Sequence, residues 1–223
     1  MHLPSLARPM LLSAVLLGLA ACETGPAHRL GDASLPLMKP GYGLVATTVI
    51  QRNRLHSNDQ PTAMATAGTT FANFHTVKGA EGENFSVYPG GPTTFAGYVD
   101  PTRPGKSDRG FPTFLKQVKP GKYFLNSVVV GTPENSQVVG PKEDTVFEVK
   151  EGEVTYAGSV QMVTWWTERG NGYVPVKRIV EVADEFARDM PAIQVHEPRL
   201  ATLPVRNGVA RQDGPPESGA APR

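Results

Sequence analysis

The chain has 223 residues, with 22 Lys and Arg, 21 Asp and Glu, and a single cysteine. Residues 1–21 contain one charged side chain, Arg8, so the remainder of the chain is balanced, with 21 charges of each sign. Neither sign is clustered, which argues against a nucleic acid partner and against a polybasic membrane patch.

The first 21 residues have the three parts of a secretory signal. The segment from Met1 to Pro9 carries Arg8 and no acidic residue, and an apolar run from Met10 to Leu19 follows it. The run is about half the ~20 apolar residues that a membrane-spanning helix needs. Small residues close the segment, as at a signal-peptide cleavage site. We therefore predict a signal peptide over residues 1–21.

The residues Leu19-Ala20-Ala21-Cys22 resemble the lipobox of bacterial lipoproteins at every position. The resemblance implies a diacylglycerol on the Cys22 sulfur, cleavage before it and acylation of the new N-terminus. Two or more acyl chains anchor a protein stably, so the lipid bilayer is an expected partner. In lipoproteins of enteric bacteria an Asp after this cysteine favours the inner membrane; Glu23 therefore implies the outer membrane of the cell envelope.

The cysteine count limits the chemistry. Because Cys22 is the only cysteine, its lipidation leaves no thiol for a disulfide, a zinc site or a nucleophile. The domain must then be held together by its core alone.

Composition divides the rest of the chain into three parts. Residues 22–39 are rich in Gly, Ala, Pro and Ser, which predicts a lipidated flexible linker. Residues 40–203 are long enough for one domain. Residues 204–223 cannot bury a core, so they are predicted to be a disordered C-terminal tail.

Short runs rich in β-branched and aromatic residues, separated by Pro and Gly, fill the domain. Such a pattern predicts an all-β fold, a single β-sandwich of about eight or nine mostly antiparallel strands. The predicted strands are Tyr42–Gln51, Thr69–Val77, Phe85–Tyr88, Thr93–Val99, Phe111–Val118, Tyr123–Val130, Thr145–Lys150, Glu153–Met162 with its continuation through Trp165 and Trp166, and Tyr173–Val182.

The strand over Glu153–Met162 has the clearest alternation. Val154, Tyr156, Val160 and Met162 share one face, and polar residues such as Thr155 and Ser159 share the other. Period-two alternation predicts one buried and one solvent-facing side. Gly158 interrupts the apolar face, which is typical of a β-bulge or of close packing.

Two turn signals predict hairpins. Pro120-Gly121 suits a type II turn and predicts that strand 111–118 pairs with strand 123–130. Asn171-Gly172 predicts one long hairpin over residues 153–182. A short C-terminal helix is predicted over residues 182–190, ended by Pro191.

Two segments of the domain resemble a recurring pair in envelope lipoproteins. They are the turn and strand over residues 118–125 and the strand over residues 147–158, with its Glu-Gly-Glu-Val-Thr-Tyr-Ala-Gly sequence. In those proteins the segments belong to transthyretin-like or Ig-like sandwiches of unknown function. The resemblance implies a fold and no catalytic residues.

The sequence contains no motif for catalysis, cofactor binding or metal binding that passes its spacing requirements. Aromatic residues give the only candidate binding surface. Trp165 and Trp166 are adjacent on a strand and must point to opposite faces, so at least one is expected to be partly exposed. Together with Tyr173 on the same hairpin, they are the predicted binding surface.

These observations favour a non-catalytic envelope lipoprotein that contacts another envelope protein as a binding or assembly module. One alternative is a carbohydrate- or peptidoglycan-binding module that uses the hairpin aromatics, which requires an indole in a solvent-facing groove. Another is a hydrolase of envelope polymers, which requires Ser159, or two carboxylates, to meet a base in a pocket.

Overall fold

The computed structural model describes residues 28–61, 69–88, 94–99, 111–132, 135–143 and 145–209. These residues form twelve strands, one α-helix and one 3-10 helix. The strands are β1 (His28–Arg29), β2 (Gly43–Leu55), β3 (Thr69–Thr76), β4 (Phe85–Val87), β5 (Thr94–Val99), β6 (Phe111–Val118), β7 (Gly121–Thr132), β8 (Asn135–Val139), β9 (Val146–Val149), β10 (Val154–Arg169), β11 (Gly172–Ala183) and β12 (Val205–Asn207); the helix α1 is Phe186–His196 and the 3-10 helix is Pro198–Thr202.

The predicted all-β sandwich is confirmed. Sheet A has the strand order β1-β5-β6-β2-β10-β11, with β12 beside the start of β10. Sheet B has the order β4-β3-β7-β8, with β9 beside the start of β7. Most strand pairs are antiparallel, but β2 and β10 at the centre of sheet A run parallel. All nine predicted runs are strands, and β1, β8 and β12 are additional.

Two hydrophobic cores lie on the two faces of sheet A. One fills the space between the sheets and includes Val49, Phe74 and Val160. The other lies between the outer face of sheet A and helix α1, and includes Leu44, Tyr156 and Ile193. The prediction that β10 has a solvent-facing side is therefore wrong, because the helix and the segments beside it cover one side of the strand and sheet B covers the other.

The chain irregularity at Gly158 reverses which side chains of β10 point into the core between the two sheets. The pairing with β2 shifts register between Tyr156 and Ser159, and Gly158 has a φ of +95°. Val154 and Tyr156 consequently pack under the helix, whereas Val160 packs between the sheets. The predicted bulge is confirmed, and it explains why a single alternating face could not be continued through the whole strand.

The turn at Pro120-Gly121 does not form the predicted hairpin. β6 pairs with β2 and β5 in sheet A, whereas β7 pairs with β3, β8 and β9 in sheet B, so the turn carries the chain between the sheets. Gly121 is required there, because a Cβ at this position would lie 2.0 Å from the Glu81 carbonyl oxygen. A turn signal indicates a reversal of the chain and leaves the pairing partner undecided.

The second predicted hairpin is confirmed. β10 and β11 pair antiparallel from Ser159–Ala183 to Arg169–Gly172. The two residues between the strands are Gly170 and Asn171, one position earlier than the Asn-Gly signal indicated. Gly170 has a φ of +61°, which suits the first central position of a type II′ turn.

The helix begins and ends later than predicted. It spans Phe186–His196 and contains Pro191, whereas Val182 belongs to β11. Proline removes one helical hydrogen bond. The helix continues past Pro191 because Ala192 and Ile193 are buried against sheet A, and this packing outweighs the lost bond.

The flexible linker predicted over residues 22–39 and the disordered tail predicted over residues 204–223 both include residues that belong to the folded domain. Within residues 22–39, β1 pairs with β5 and Leu37 is buried, so residues 28–39 pack on the sandwich. Within residues 204–223, β12 pairs with β10. Besides these strand pairs, apolar side chains of both segments, among them Leu37 and Val205, pack into the core beneath α1, and the scattered positions of such residues gave no strand or helix periodicity in the sequence. The predicted signal peptide, Cys22 and the rest of the tail lie outside the described residues.

Candidate functional site

The predicted aromatic surface lies at one end of sheet A, where β2, β10 and β11 extend together. We call this end the aromatic tip; it comprises Trp165, Trp166 and Tyr173 with the turn over residues 56–60 that follows β2. Its strands are half-buried here, in contrast to the fully buried first part of β2. The structure therefore places the three residues that the sequence singled out at the same end of sheet A, with Trp165 and Trp166 on opposite faces.

Trp165 lies on the outer face of sheet A, in register with Arg54 of β2 and Lys177 of β11. Its indole Nε1 donates to Asp59 Oδ1 at 2.8 Å, and the Lys177 ammonium lies 4.9 Å from its ring centroid. Asp59 also pairs with Arg54 at 2.5 Å. The hydrogen bond from Trp165, and next the charge of Arg54, lower the pKa of Asp59.

Trp166 lies on the opposite face of the sheet, as predicted for adjacent strand residues. Its Nε1 donates to Asn53 Oδ1 at 2.9 Å. The pairing with β11 skips one residue between Trp165 and Trp166, which leaves Val176 as the extra residue of a bulge. Val176 and Tyr173 are 47% and 45% exposed, and the Tyr173 hydroxyl donates to Glu168 at 3.0 Å.

Both indoles of the aromatic tip are held by contacts within the protein. Both indoles are half-buried, and both N–H groups already have acceptors within the protein. Partly exposed Trp and Tyr side chains are enriched at protein contact surfaces. The outer edge of the tip is protected against the addition of another strand, because β11 carries Pro175, Lys177 and the Val176 bulge.

A buried carboxylate holds the N-terminal segment on the opposite edge of the domain. Glu197 is fully buried and accepts hydrogen bonds from the Gly31 backbone N–H and from Arg199. Arg199 also donates to the carbonyl oxygens of Asp32 and Leu35. Burial raises the pKa of Glu197, but Arg199 and the Gly31 N–H outweigh burial, so the pKa lies below its ordinary value of 4.5.

We expect this carboxylate to make the domain acid-sensitive. Because the folded-state pKa is lowered, Glu197 stabilises the fold fully above pH 4.5, and this contribution is lost as the pH falls through the folded-state pKa. Thermal unfolding followed by circular dichroism from pH 7 to pH 2 should show a smaller loss of Tm below pH 4.5 in Glu197→Gln than in the wild type. Parallel curves for the two proteins would contradict this role of Glu197.

The residues considered for hydrolysis do not converge. Ser159 is fully buried and its hydroxyl has no hydrogen-bond partner, so no substrate can reach it. The sequence offers carboxylates close together in the pairs Glu81/Glu83, Glu143/Asp144, Glu151/Glu153 and Asp184/Glu185. Two of these residues are used in structural contacts: Glu151 accepts from the Gly41 N–H, and Asp184 accepts from Asn207. Asp144 lies outside the described residues.

Among the residues that the structure describes, no three His, Cys, Asp or Glu side chains are grouped as metal ligands. In the same ranges, no helix has the length and apolar character needed to cross a membrane.

A cavity that was not predicted from the sequence lies at the edge of the sandwich beside β4 and β6. Its volume is about 430 Å³, and Lys116 of β6 lines it. The signal was present in the sequence, since Lys116 stands between Phe114 and Val118 in an alternating apolar run. A lysine at a core-facing position is rare unless the ammonium has a purpose or a partner.

Comparison with known proteins gives no family. No family model matches the chain, and no curated protein matches it significantly. One solved structure, a leucine-rich repeat protein from Bacteroides thetaiotaomicron, is similar over 55% of this chain and 14% of its own length. The identity is 11% and the TM-score 0.31, a likeness that carries no information on function.

Proposed function

We propose that this chain is a lipid-anchored protein of the cell envelope, with the outer membrane as its location. In this proposal the sandwich is a non-catalytic binding or assembly module, and it contacts another envelope protein through the aromatic tip. The lipobox-like residues ending in Cys22 support the anchor. The main support for this role is the position of the aromatic tip relative to the anchored end, by which we mean the corner of the domain at β1 that follows Cys22 in the chain.

The tip and the anchored end lie at opposite corners of sheet A. β1 and β11 are the two edges of the sheet, five strand spacings or about 24 Å apart. Across the sheet, the strand pairings place His28 of β1 level with Ala46 of β2. Trp166 of β10 pairs directly with Leu55 of β2. Nine residues along β2 add about 30 Å in the perpendicular direction. The two corners are therefore about 40 Å apart.

Because the connection to Cys22 is short, the distance between the anchored end and the aromatic tip determines how far the tip lies from the bilayer. Residues 28–39 pack on the domain, so only residues 22–27 separate the lipid from the sandwich. Six residues span at most about 20 Å. The anchored corner is thereby kept near the bilayer, and the diagonally opposite tip is directed toward a partner in the envelope.

A protein partner is favoured over a carbohydrate. Stacking on a sugar requires an accessible ring face, and the Lys177 ammonium lies over the ring of Trp165. Both indole N–H groups are also engaged within the protein, so neither is left to bond a sugar hydroxyl. Exposed Val176 and Tyr173 add apolar area that suits a protein interface.

Site-specific photo-cross-linking in intact cells tests the proposal. A photo-reactive amino acid at Val176 is expected to give one discrete protein adduct. The matched control is Val195 on α1, which is 51% exposed and lies near the anchored end. Cys22→Ala should release the protein from the membrane fraction and abolish the Val176 adduct, because the tip is no longer held beside its partner.

Different failures identify different faults in the proposal. If Cys22→Ala still fractionates with membranes, the lipid anchor is wrong. If the anchored protein gives equal adducts from Val176 and Val195, or none from Val176, the aromatic tip is not the contact surface.

A further inference from the structure

The aromatic tip collects positive charge from segments that are far apart in the sequence. Its strand ends and turns are residues 52–60 and 163–178, which contain five basic and two acidic residues. These are Arg52, Arg54, Arg169, Lys177 and Arg178 against Asp59 and Glu168. Elsewhere in residues 22–223 there are 16 basic and 19 acidic residues. The excess positive charge is therefore concentrated at the tip, although neither sign is clustered along the chain.

Three of these cations flank Trp165 on the outer face of sheet A. Arg54 and Lys177 are its register partners on β2 and β11, and Arg52 lies two residues before Arg54 on the same face. From the strand spacing and the rise per residue, the backbone positions of the three cations lie within about 12 Å of one another. Arg169 continues this face toward the hairpin turn, four residues after Trp165. The face around the indole is thus basic.

Much of this charge is not offset within the domain. Arg54 pairs with Asp59, so one cation is neutralised. Arg52 and Lys177 form no ion pair with any residue that the structure describes. The next acidic residue along the outer face of β11 is Glu181, about 13 Å from Lys177 along the strand. That distance exceeds the Debye length of about 8 Å at physiological ionic strength, so Glu181 offsets the basic face only weakly.

Two of the cations are half-buried without a counter-charge. Arg52 Nε is buried and has no hydrogen-bond acceptor in the described part of the chain. Arg178, on the edge strand β11, has the same arrangement at Nε, and its Nη1 donates to the uncharged Gln137. Partial burial of a guanidinium without an acid is unfavourable. An acidic group brought by a binding partner offsets this cost, and guanidinium groups match carboxylates in geometry.

The surroundings of the cations favour a protein over an anionic lipid or polysaccharide. Val176 and Tyr173 are 47% and 45% exposed beside them, and arginine with large aromatic residues is the composition of protein-interface hot spots. The tip also lies about 40 Å from the anchored end, away from the bilayer to which the chain is attached.

We propose that the aromatic tip recognises an acidic protein segment, in which Asp or Glu side chains lie next to apolar ones. The carboxylates pair with Arg52, Arg169 and Lys177, and the apolar side chains pack against Val176. This inference rests on the proposed function, because it specifies the chemistry of the envelope partner that contacts the tip.

Charge-removing variants of the full chain, cross-linked in intact cells from a photo-reactive residue at Val176, test the inference. Arg169→Gln combined with Lys177→Gln changes two exposed residues and should lower the yield of the protein adduct by about fivefold, because two exposed charge contacts are lost. Arg169→Lys combined with Lys177→Arg keeps both charges and should retain the adduct.

A matched control separates the basic face from the net charge of the protein. Lys122→Gln combined with Lys150→Gln removes the same charge from two exposed lysines of the other sheet and its flanking turn, and the adduct should be unchanged. Thermal unfolding of each purified variant verifies that it is folded. If Arg169→Gln with Lys177→Gln is unfolded, Arg169→Gln alone, compared with Lys150→Gln, takes its place.

The adduct itself gives two further readouts. Mass spectrometry should place the cross-link in a partner segment with more Asp and Glu than Lys and Arg. In isolated membranes the yield should fall several-fold between about 0.1 M and about 1 M NaCl, because the Debye length falls from about 10 Å to about 3 Å.

The outcomes separate this inference from the proposed function. A lack of any discrete adduct from Val176 in the otherwise unchanged protein contradicts the proposed function itself. A discrete protein adduct that is equally strong in Arg169→Gln with Lys177→Gln, that falls equally in the control, or that maps to a segment without an acidic excess overturns only the acidic partner. An adduct to lipid or polysaccharide in place of protein overturns both.

Discussion

Replacing Asp189 by alanine is expected to lower the free energy of unfolding by about 3–5 kcal/mol, as is typical when one partner of a buried ionic network is removed. Asp189 is 1% exposed, on the buried side of α1. Its Oδ2 accepts hydrogen bonds from the Tyr156 hydroxyl at 2.5 Å and the Thr48 hydroxyl at 2.9 Å. Its Oδ1 accepts from Arg188 Nε at 2.7 Å. The substitution leaves two buried hydroxyls without this acceptor.

Chemical denaturation of Asp189→Ala and Glu185→Ala measures the effect against a matched control. Glu185 also pairs with Arg188, at 3.4 Å, but its side chain is 34% exposed. Exposed ion pairs contribute about 0–1 kcal/mol, so Glu185→Ala should be only slightly destabilised. Similar losses in the two variants would show that the buried network does not hold the helix on the sheet.

A double-mutant cycle isolates the contact between Tyr156 and Asp189. Burial, and then the hydrogen bond to Asp189 and its negative charge, raise the pKa of Tyr156, so the hydroxyl remains protonated and donates. Tyr156→Phe should destabilise the wild type by about 1–2 kcal/mol and should be nearly neutral once Asp189 is alanine. Equal effects in the two backgrounds would show that the two side chains are not coupled.

Gly158→Ala is expected to destabilise the domain by about 3 kcal/mol. Gly158 has a φ of +95°, in the left-handed region that non-glycine residues rarely adopt. An added Cβ would lie 2.5 Å from Val182 Cγ1 and 3.2 Å from the Ala183 carbonyl oxygen. Backbone strain and overpacking each contribute about 1–3 kcal/mol.

Gly170→Ala separates these two contributions. Gly170 also has a positive φ, of +61°, but nothing lies within 4 Å of a Cβ added there. It should therefore show the backbone contribution alone, about 1 kcal/mol. Denaturation curves measured side by side give the packing contribution as the difference between the two variants. If the two losses are equal, the bulge does not bring β10 and β11 as close as the structure indicates.

The local features of the fold could be predicted from the sequence. Nine strands were identified by β-branched and aromatic runs, because residues that alternate along a strand share a face. The hairpin of β10 and β11 was predicted from the turn residues between them, and the bulge at Gly158 from the glycine itself. Each of these features depends on residues that are neighbours along the chain.

The opposite orientation of Trp165 and Trp166 could be predicted from the sequence, but the residues that surround them could not. Adjacent positions on one strand place Trp165 and Trp166 on opposite faces whatever the rest of the fold does. Asp59 and Asn53, which accept from the two indoles, lie on β2 and its turn, more than 100 residues earlier. Only the parallel pairing of β2 with β10 brings them to the tip.

By itself, the sequence determined where strands form and where β10 bulges, and it predicts a lipid-anchoring signal that ends at Cys22. The tertiary structure decided that β6 and β7 belong to different sheets, that α1 covers the outer side of β10, and that residues 28–39 belong to the domain. It also placed Lys116 in a cavity. The physical reason is that backbone pairing and burial depend on which distant segment supplies the other half of each contact, and alternation along one strand carries no information about that partner.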